Sequence, residues 1–369
     1  MGRQPGAVEK MVTFPDTYRG KRVWLTGHTG FKGAWLAEWL LHLGAEVHGF
    51  ALPPTAQQPL FGQLGLAGRM HHVLGDVRDA AAVARTVREL QPDFVFHLAA
   101  QPLVRDSYAL PAETHATNAT GTLHVLEALR TVTKPCAAVL VTTDKCYGNS
   151  ATGAAFTERD PLGGDDPYSA SKACAEIIIE SWRKSFFRGH PVRFASARAG
   201  NVIGGGDWAK DRIVPDCIRA LQAGRPIPVR NPAAIRPWQH VLEPLGGYLL
   251  LGARLGSATD DALCSPFNFG PPSDAERSVA QLVDELLVHW PGRWTDASDP
   301  QAPPEAATLR LDITKAKNLL GWRPVWDFRE TITRTVQGYR DLQGGSGIVR
   351  ATICREQVTA YGRAWQRLG

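Results

Sequence analysis

Apolar residues in the first half of the chain follow two spacings that alternate. Residues 22–26 form a short apolar run, which is the pattern of a buried strand. Apolar residues at helical spacing follow over 35–43, and a second strand-like run covers 47–52. A strand, a helix and a strand in this order form a βαβ unit, which predicts a parallel sheet.

The same alternation continues past residue 190. The further predicted strands cover residues 72–74, 94–98, 138–142 and 192–197. The further predicted helices cover residues 80–90, 118–130 and 168–187. Asp79 stands where the first of these helices needs an N-cap. The pattern therefore predicts an α/β fold, a doubly wound parallel sheet with helices on both faces.

A break in this rhythm follows Gly200. Glycine and proline become frequent over 204–206 and 225–237, a composition that is typical of loops. We expect a second, smaller mixed α/β domain to begin here.

Composition narrows the class of ligand. The chain has 369 residues, and its net charge of +5 is spread without a basic run, which favours a phosphate-bearing small molecule over nucleic acid. No apolar run reaches the roughly 18 residues of a membrane span, and the start of the chain has no apolar segment of a signal peptide. The six cysteines lack the paired spacing of zinc ligands. We therefore expect reduced thiols, no metal, no membrane partner and a cytoplasmic location.

A glycine-rich segment lies between the first predicted strand and the first predicted helix. It reads Gly27, His28, Thr29, Gly30, Phe31, Lys32 and Gly33. Such glycines can form a tight turn and nothing more, but between a strand and a helix they let the backbone approach a pyrophosphate. No acidic residue follows the second strand to bind the ribose of NAD, so NADP stays open. His28 and Lys32 could bind its 2′-phosphate, or could face the pyrophosphate or solvent.

Tyr168 and Lys172 form the first candidate catalytic pair. They lie four residues apart in a predicted helix, so their side chains share one face. A tyrosine acts as a base only after it loses a proton, and a nearby ammonium and a cationic nicotinamide ring favour that loss. This spacing is common on helix surfaces by chance. Thr143, which ends a predicted strand 25 residues earlier, makes the combination more specific.

Together with the glycine turn, these residues resemble the extended short-chain dehydrogenase/reductase family over about residues 21–340. By that resemblance, Thr143 binds a sugar hydroxyl and Tyr168 accepts its proton. Lys172 holds the nicotinamide ribose and tunes Tyr168, and NAD is the expected cofactor. The resemblance also implies cofactor contacts from Asp76, Val77, Leu98, Ala99 and Ala100. Asn118 matches a structural support of the central helix.

The resemblance also sets the expected domain boundaries. A dinucleotide-binding Rossmann domain covers 21–200 plus about 239–266, and a substrate domain covers 201–238 plus about 267–345. Residues 1–20 are an N-terminal extension and 346–369 a C-terminal segment, and the sequence assigns a role to neither.

Asp144 and Lys145 point to the type of reaction. Epimerases of this family carry small polar residues after the Thr or Ser, whereas 4,6-dehydratases carry an acidic residue with a second functional group beside it. Expelling hydroxide from C6 needs a proton donor, and a ketone at C4 makes the C5 proton acidic enough to remove. By resemblance Asp144 protonates the leaving group. Lys145, where related dehydratases carry glutamate, either takes the C5 proton or stabilises the enolate as a cation.

Longer motifs resemble the branch of the family that acts on CDP-glucose. They lie at 27–33, 96–105, 143–147, 196–208, 230–232 and 234–241. We expect conversion of CDP-glucose to CDP-4-keto-6-deoxyglucose. One departure covers 150–156, where the family has an aromatic-rich stretch beside the sugar.

Polar and aromatic side chains are expected to bind the nucleotide diphosphate and the sugar. By resemblance they are Gln101, Arg105, Asn201, Asp207, Trp208, Arg212, Arg230 and Arg236. A guanidinium group can donate two parallel hydrogen bonds to phosphate, although a single arginine is as often only solvated. Arg236 is the favoured clamp. Trp208 and Trp238 are more often core residues.

Two other interpretations stay open. A 4-epimerase or a net oxidoreductase could use the same turn and the Tyr168 and Lys172 pair, and loss of water would separate these from a dehydratase. A non-catalytic dinucleotide-binding protein would not need to keep these residues together with Thr143. The resemblance implies a homo-oligomer, a dimer or a tetramer, that acts on a small-molecule nucleotide-sugar substrate.

Overall fold

The computed structural model describes residues 14–56, 59–148, 154–272, 276–298, 310–343 and 346–367. The strands are β1 (Arg22–Thr26), β2 (Glu46–Ala51), β3 (His71–Leu74), β4 (Phe94–His97), β5 (Cys136–Val141), β6 (Val192–Ala199), β7 (Val202–Ile203), β8 (Ile227–Val229), β9 (Ile235–Pro237), β10 (Gln239–His240), β11 (Phe267–Phe269), β12 (Glu276–Ser278) and β13 (Trp294–Asp296). The α-helices are α1 (Phe14–Tyr18), α2 (Phe31–His42), α3 (Leu60–Gln63), α4 (Ala80–Leu90), α5 (Val104–Ala109), α6 (Pro111–His115), α7 (Gly121–Leu129), α8 (Pro167–Phe186), α9 (Ile213–Gln222), α10 (Leu242–Ser257), α11 (Val279–His289), α12 (Phe328–Asp341) and α13 (Gly347–Gln366). Short 3₁₀ turns cover Leu66–Gly68 and Asp144–Cys146, and π turns cover Ala116–Thr120 and Ala316–Leu320.

One parallel sheet of seven strands organises the molecule, in the order β11-β6-β5-β4-β1-β2-β3. The predicted α/β fold with a doubly wound parallel sheet is confirmed. The strand order reverses between β1 and β4, and in such sheets ligands bind outside the carboxyl ends of the strands at that point. The fold therefore directs attention to the ends of β1, β4 and β5.

Both faces of this sheet are covered, because successive side chains of a strand point to opposite sides. In β1, Val23 and Leu25 join a core that includes residues of α2 and α10. Trp24, between them, joins a second core with α4, α7 and α8. Burial on both faces explains why the strands read as continuous apolar runs rather than alternating ones.

Most predicted elements agree with the structure to within one or two residues. Helix α4 has the predicted bounds, and the Asp79 carboxylate accepts a hydrogen bond from the backbone N–H of Ala82 at 3.0 Å, as expected of its cap. The helix predicted at 118–130 differs. It begins inside the π turn Ala116–Thr120, so that the regular helix α7 is shorter than predicted.

The second lobe contains small two-stranded sheets. β7 pairs with β10 and β8 with β13 in parallel, and β9 pairs with β12 antiparallel. With α9, α11 and α12 they surround a third hydrophobic core, which includes Trp238. The boundary predicted at about residue 266 needs a correction, because β11 pairs with β6 as the outer strand of the main sheet. Phe267 and Phe269 pack into the same core as α2, which holds this strand with the sheet.

The C-terminal segment, to which the sequence assigned no role, forms helix α13 against α2. Glu38 of α2 has a fully buried carboxylate, which accepts hydrogen bonds from Arg69 at 2.6 Å and from Arg355 of α13 at 2.7 Å. Tyr361 of α13 donates to Glu243 of α10 at 2.9 Å. Residues 346–367 are therefore part of the folded body.

Two further expectations can be compared with the structure. All six cysteines are free, as predicted, and Cys174 and Cys264 are the ones that are partly exposed. Across the residues that the structure describes, no helix has both the length and the apolar character that crossing a bilayer requires.

Candidate active site

The glycine turn joins β1 to α2 at the predicted place. Gly27 has φ +73°, and a Cβ atom there would lie 2.7 Å from the backbone nitrogen of Ala99. A Cβ atom on Gly33 would lie 2.0 Å from the carbonyl oxygen of Gly27. Side chains are thus excluded where the turn meets β4 and its own helix. The bare backbone and the start of α2 form a cradle that fits a dinucleotide pyrophosphate.

Three side chains of the turn are occupied by the protein itself. Thr29 donates to the carbonyl oxygen of Leu52 at 3.0 Å, which ties the turn to the end of β2. Phe31 packs into the first hydrophobic core. The His28 ring lies 2.7 Å from His72, nitrogen to nitrogen, and burial lowers its pKa to about 4. His28 is therefore neutral at neutral pH, and its ring supplies no charge for a 2′-phosphate.

Lys32 points towards the catalytic groups. Burial lowers its pKa to about 7; the charge of Arg212 also lowers it, and the charge of Asp144 raises it. Its Nζ atom lies 6.0 Å from the ring centroid of Tyr248, a fully buried residue whose hydroxyl has no partner among the described residues. Lys32 thus lies between the dinucleotide cradle and the reaction centre.

The other predicted cofactor contacts line the carboxyl ends of β3 and β4. Leu98 and Ala99 donate their backbone N–H groups to Thr26 Oγ1, each at 3.1 Å, and Ala100 follows them. Val77 is buried against Gly121. Asp76 binds the guanidinium group of Arg78 at 2.6 Å, which lowers the pKa of Asp76.

Tyr168 and Lys172 lie in the first turns of α8, where Asp166 caps the helix by accepting the Ser169 N–H at 2.9 Å. Burial raises the pKa of Tyr168 to about 12, and a hydrogen bond with Thr143 acts in the opposite direction. Burial lowers the pKa of Lys172 to about 8, against the effect of the Glu176 carboxylate. The Lys172 ammonium donates to the carbonyl oxygen of Val141 at 3.3 Å.

A short turn at the end of β5 carries the two residues that indicated dehydration. This catalytic turn is Asp144–Cys146, and Thr143 precedes it as its N-cap. The Thr143 hydroxyl donates to Asp144 at 3.0 Å. Asp144 is buried and Lys145 is partly exposed. A Cβ atom on Gly200 would lie 2.7 Å from the Asp144 carboxylate, so the glycine gives this acid its space.

The structure therefore brings Thr143, Asp144, Tyr168 and Lys172 together in one buried cluster. Thr143 binds both Asp144 and Tyr168, and Lys172 follows Tyr168 by one helical turn. A hydroxyl, a carboxyl, a phenol and an ammonium can together move protons on and off a sugar.

Several predicted arginines are paired with aspartates at the start of the second lobe. Arg212 binds Asp207 at 3.1 Å. Asp211, which has φ +59°, accepts hydrogen bonds from both Arg105 at 3.2 Å and Arg230 at 2.9 Å. These guanidinium groups come from α5, from the loop before α9 and from the end of β8, and the folded chain collects them around two carboxylates.

The remaining predicted substrate residues have diverse surroundings. Gln101 is held by local contacts, since its side chain donates to Thr114 at 3.0 Å and its backbone N–H binds Asn118 at 2.9 Å. Trp208 packs edge-on against Tyr339, which favours a core role. Asn201 and Arg236 lie at the start of β7 and within β9.

Asn118 has the structural role that the resemblance implied. It is almost fully buried, and its amide donates to Ser171 of α8 at 2.9 Å and to the Gln101 carbonyl oxygen at 3.1 Å. It therefore links the loop after β4 to the helix of Tyr168.

Sequence reasoning missed a buried charged network beneath the cluster. Glu176, Arg198 and Tyr147 are its members, and Asn268 of β11 ends it. Two signals pointed to it: Glu176 follows Lys172 at helical spacing, and Arg198 stands among small residues of a buried strand.

One group of side chains with metal-binding atoms lies at the far edge of the sheet, on β2 and β3. Glu46 and His48 are 2.8 Å apart, and His71 lies 3.6 Å from the same carboxylate. The two imidazole rings are stacked with an interplanar angle of 6°, so their lone pairs run side by side rather than converge. We assign no metal to this group.

Comparison with known proteins supports the chemistry suggested by this geometry. The family model for GDP-mannose 4,6 dehydratase matches residues 25–252. The CDP-glucose 4,6-dehydratase of Salmonella typhimurium is 45% identical over 361 residues, which cover 95% of this chain and 98% of that protein. The dTDP-glucose 4,6-dehydratase of Xanthomonas campestris is 29% identical over 74% of this chain and 80% of that protein. A crystal structure of a dTDP-glucose 4,6-dehydratase from Streptomyces venezuelae with NAD bound is 25% identical, with a TM-score of 0.74 over 86% of this chain and 97% of that chain.

Proposed function

Because this chain belongs to the nucleotide-sugar dehydratase family described by the GDP-mannose 4,6 dehydratase model, we propose that it converts CDP-glucose to CDP-4-keto-6-deoxyglucose. The chain is accordingly an enzyme of the hydro-lyase class. The identity of 45% to a CDP-glucose 4,6-dehydratase over nearly the whole of both chains supports the choice of nucleotide.

The observation that carries the proposal is the position of Asp144. It lies on a buried turn, hydrogen-bonded to Thr143, which also binds Tyr168. An enzyme that only oxidises C4 and reduces it again, such as an epimerase, needs no acid to protonate a leaving hydroxyl. Elimination of water from C5 and C6 does need one.

NAD is the cofactor in this proposal. The glycine turn would hold its pyrophosphate, because only glycine allows the close approach of backbone at Gly27 and Gly33. Asp76, Val77 and residues 98–100 would line its adenine and ribose. When bound, the nicotinamide stores the hydride that C4 gives up and returns it to C6.

The chain's own residues move the protons. Tyr168 accepts the proton of the C4 hydroxyl, and the positive charge of Lys172 favours the ionised phenol that this requires. Thr143 orients the hydroxyl by hydrogen bonding. Asp144 gives a proton to the C6 hydroxyl, which leaves as water, and Lys145 takes the proton from C5. A proton then returns to C5, so that the product is the 4-keto-6-deoxy sugar.

Arginines hold the nucleotide diphosphate in this proposal. Arg105 and Arg230 share the Asp211 carboxylate, and Arg212 pairs with Asp207, so each of these guanidinium groups is already held by a carboxylate. Arg236 remains the favoured additional clamp. Planar guanidinium groups suit a diphosphate because each can donate two parallel hydrogen bonds.

The substrate can be tested directly by incubating the purified protein with CDP-, dTDP-, UDP- and GDP-glucose. The expected product has lost one water, appears from CDP-glucose first, and develops an enone-like absorbance after treatment with alkali. A product of unchanged mass would indicate an epimerase, and net formation of reduced dinucleotide would indicate a dehydrogenase. Preference for another nucleotide would overturn the choice of CDP alone.

The homo-oligomer and the cytoplasmic location stay predictions. Mass measurement in solution distinguishes a dimer or a tetramer from a single chain. No nucleic acid takes part in the proposed reaction.

A further inference from the structure

Arg198 of β6 is a buried cation at the centre of a hydrogen-bond network beneath the catalytic cluster. Its Nη2 donates to Glu176 of α8 at 2.7 Å, and its Nη1 donates to the Tyr147 hydroxyl at 2.9 Å. The side chains of Arg198 and Glu176 are 4% and 3% exposed. Such a pair is shielded from solvent, and loss of either partner would leave an uncompensated buried charge, which is strongly destabilising.

The first arm of the network leads to Lys172. Glu176 lies four residues after Lys172 on the same face of α8. Its carboxylate accepts hydrogen bonds from Ser196 at 2.8 Å and from Thr142, in addition to Arg198. Burial would raise the pKa of Glu176, but these partners outweigh it and hold the pKa below its usual value. The carboxylate is therefore ionised and its charge raises the pKa of Lys172.

The second arm leads to the catalytic turn. Tyr147 directly follows Asp144–Cys146, and its hydroxyl donates to Asn268 of β11 at 2.6 Å while accepting from Arg198. The Arg198 guanidinium also lies over the Tyr147 ring, 4.9 Å from its centroid. The end of the turn is thus attached to β6 through Arg198 and to β11 through Asn268.

We propose that Arg198 is a positioning residue that holds the catalytic turn in register with α8, through Glu176 on one side and Tyr147 on the other. The turn carries the acid and base of the elimination, and α8 carries the pair that serves the oxidation. The inference rests on the proposed function. Buried hydrogen bonds fix the distance between the turn and α8, so that the groups of both steps can reach the same bound sugar. A shift of about 1 Å in such a geometry can lower the rate by about 10².

The first arm is tested with Glu176→Gln, measured as kcat/KM against pH. Activity is expected to fall as Lys172 loses its proton, which places the alkaline limb near the pKa of about 8. Loss of the Glu176 charge lowers that pKa, so the limb moves to lower pH by about one unit, a tenfold loss on that limb. Glu176→Asp keeps the charge and should restore the limb. If Glu176→Gln does not fold, Glu176→Asp alone tests this arm. An alkaline limb that moves down by about one pH unit in Glu176→Asp, although the charge is kept, would overturn it.

Glu180→Gln is the matched control. Glu180 lies one turn further along α8, is 42% exposed and pairs with Lys184. Its profile should match that of the wild type. If Glu176 had a purely structural role, Glu176→Gln would lower the unfolding temperature and reduce activity equally at every pH. An alkaline limb that stays in place in Glu176→Gln would contradict the effect of Glu176 on Lys172.

The second arm is tested with Tyr147→Phe, which keeps the Arg198 and Glu176 pair. We expect exchange of the C5 hydrogen with solvent to slow by about tenfold or more, with reduction of the bound dinucleotide by substrate little changed and the alkaline limb in place. Tyr18→Phe is the control, because that buried hydroxyl donates to Leu249 at 2.6 Å, on α10. Equal slowing of both steps would contradict a separate arm.

Failure of the proposed function is distinguishable from failure of this inference. A wild-type protein that removes no water from any nucleotide hexose would overturn the function. A different result is a wild type that converts substrate while Glu176→Gln keeps its alkaline limb and Tyr147→Phe keeps its rate of C5 exchange. That result would overturn the role of Arg198 and leave the proposed function standing.

Discussion

Burial sets the charge of individual residues in this site, and it acts in opposite directions on acids and bases. It raises the pKa of Tyr168 to about 12 and lowers that of Lys172 to about 8, since in each case it disfavours the charged form. Tyr168 therefore depends on positive charge close by to lose its proton near neutral pH. The charge of Arg212 acts in this direction. In the proposed mechanism Lys172 adds a second positive charge while it remains protonated.

Replacement of the tyrosine tests its role as the proton acceptor. Tyr168→Phe should lower turnover by about 10² to 10⁴, the usual effect of losing a general base, because phenylalanine has no hydroxyl that could accept the proton. Dinucleotide binding, measured by titration, should change little. The exposed Tyr108, changed to Phe in the same way, is the control. Near-normal turnover in Tyr168→Phe would contradict the assignment.

A second residue-scale prediction concerns Lys145 on the catalytic turn. A lysine accepts the C5 proton only in its neutral form, so a residue that stays cationic could only stabilise the enolate. If Lys145 is the base, Lys145→Met should abolish exchange of the C5 hydrogen with solvent and still allow substrate to reduce the bound dinucleotide. Lys184→Met, at an exposed position of α8, is the control. Persistent exchange would leave Lys145 an electrostatic role.

At the scale of elements, the turn from β1 to α2 is built by contact between backbones. Gly27 has a positive φ, and its Cα faces the backbone of residues 98 and 99 after β4. The turn can form the cradle only if the end of β1, the turn itself and the start of α2 stay this close to one another. The cradle therefore depends on β4 as much as on the turn's own sequence.

Gly27→Ala tests this dependence. A Cβ atom 2.7 Å from the Ala99 nitrogen must displace the backbone, so we expect loss of dinucleotide affinity by at least about tenfold in a binding titration. Gly189→Ala is the matched control, because Gly189 has φ +69° and no atom within 4 Å of the added Cβ. It introduces similar backbone strain, about 1 kcal/mol, without the collision. Equal affinity in both variants would contradict the cradle.

At the scale of the whole molecule, Glu243 of α10 joins distant parts of the chain. Its carboxylate accepts the backbone N–H groups of Val325 at 3.0 Å and Trp326 at 2.7 Å, and the Tyr361 hydroxyl of α13 at 2.9 Å. Burial raises its pKa to about 7, although all three hydrogen bonds lower it. The second lobe and the C-terminal helix therefore meet at a group that titrates near neutral pH.

This titration predicts a pH dependence of stability. Between the unfolded value of 4.5 and the folded value of about 7, the folded state holds the Glu243 proton and the unfolded chain has released it. The free energy of unfolding therefore falls as pH rises through this window, by up to about 3 kcal/mol from this group. Glu243→Gln should show a shallower fall in denaturant unfolding. Glu330→Gln, on the exposed side of α12, should keep the wild-type slope, and equal slopes in all three would contradict the prediction.

The path of the hydride tests the complete reaction. If oxidation, elimination and reduction occur on one bound sugar, CDP-glucose with deuterium at C4 should give product with deuterium at C6, as measured by mass spectrometry or NMR. Asp144 and Tyr168 both contact Thr143, which brings the proposed acid of the elimination close to the proposed base of the oxidation. Deuterium in free reduced dinucleotide would instead indicate a net dehydrogenase.

Much of the candidate site could be proposed from the sequence because it depends on local order along the chain. The spacing of Tyr168 and Lys172 sets a common helix face, and the glycines between β1 and α2 set the cradle. Strands buried on both faces carry a strong apolar signal, which is why the sheet was predicted well. The stretch 150–156, which lacks the aromatic residues expected from the resemblance, lies mainly outside the described residues.

What the sequence by itself determined is therefore the fold, and it also predicted the cradle and the candidate catalytic groups, since each depends on neighbours within a few residues or on a repeating period. Only the tertiary structure decided that β11 completes the sheet, that His28 is neutral against His72, and that Arg198 joins α8 to the catalytic turn. These depend on contacts between residues far apart in the chain. Burial and charge pairing at such contacts follow from how the whole chain packs, and no local pattern records them.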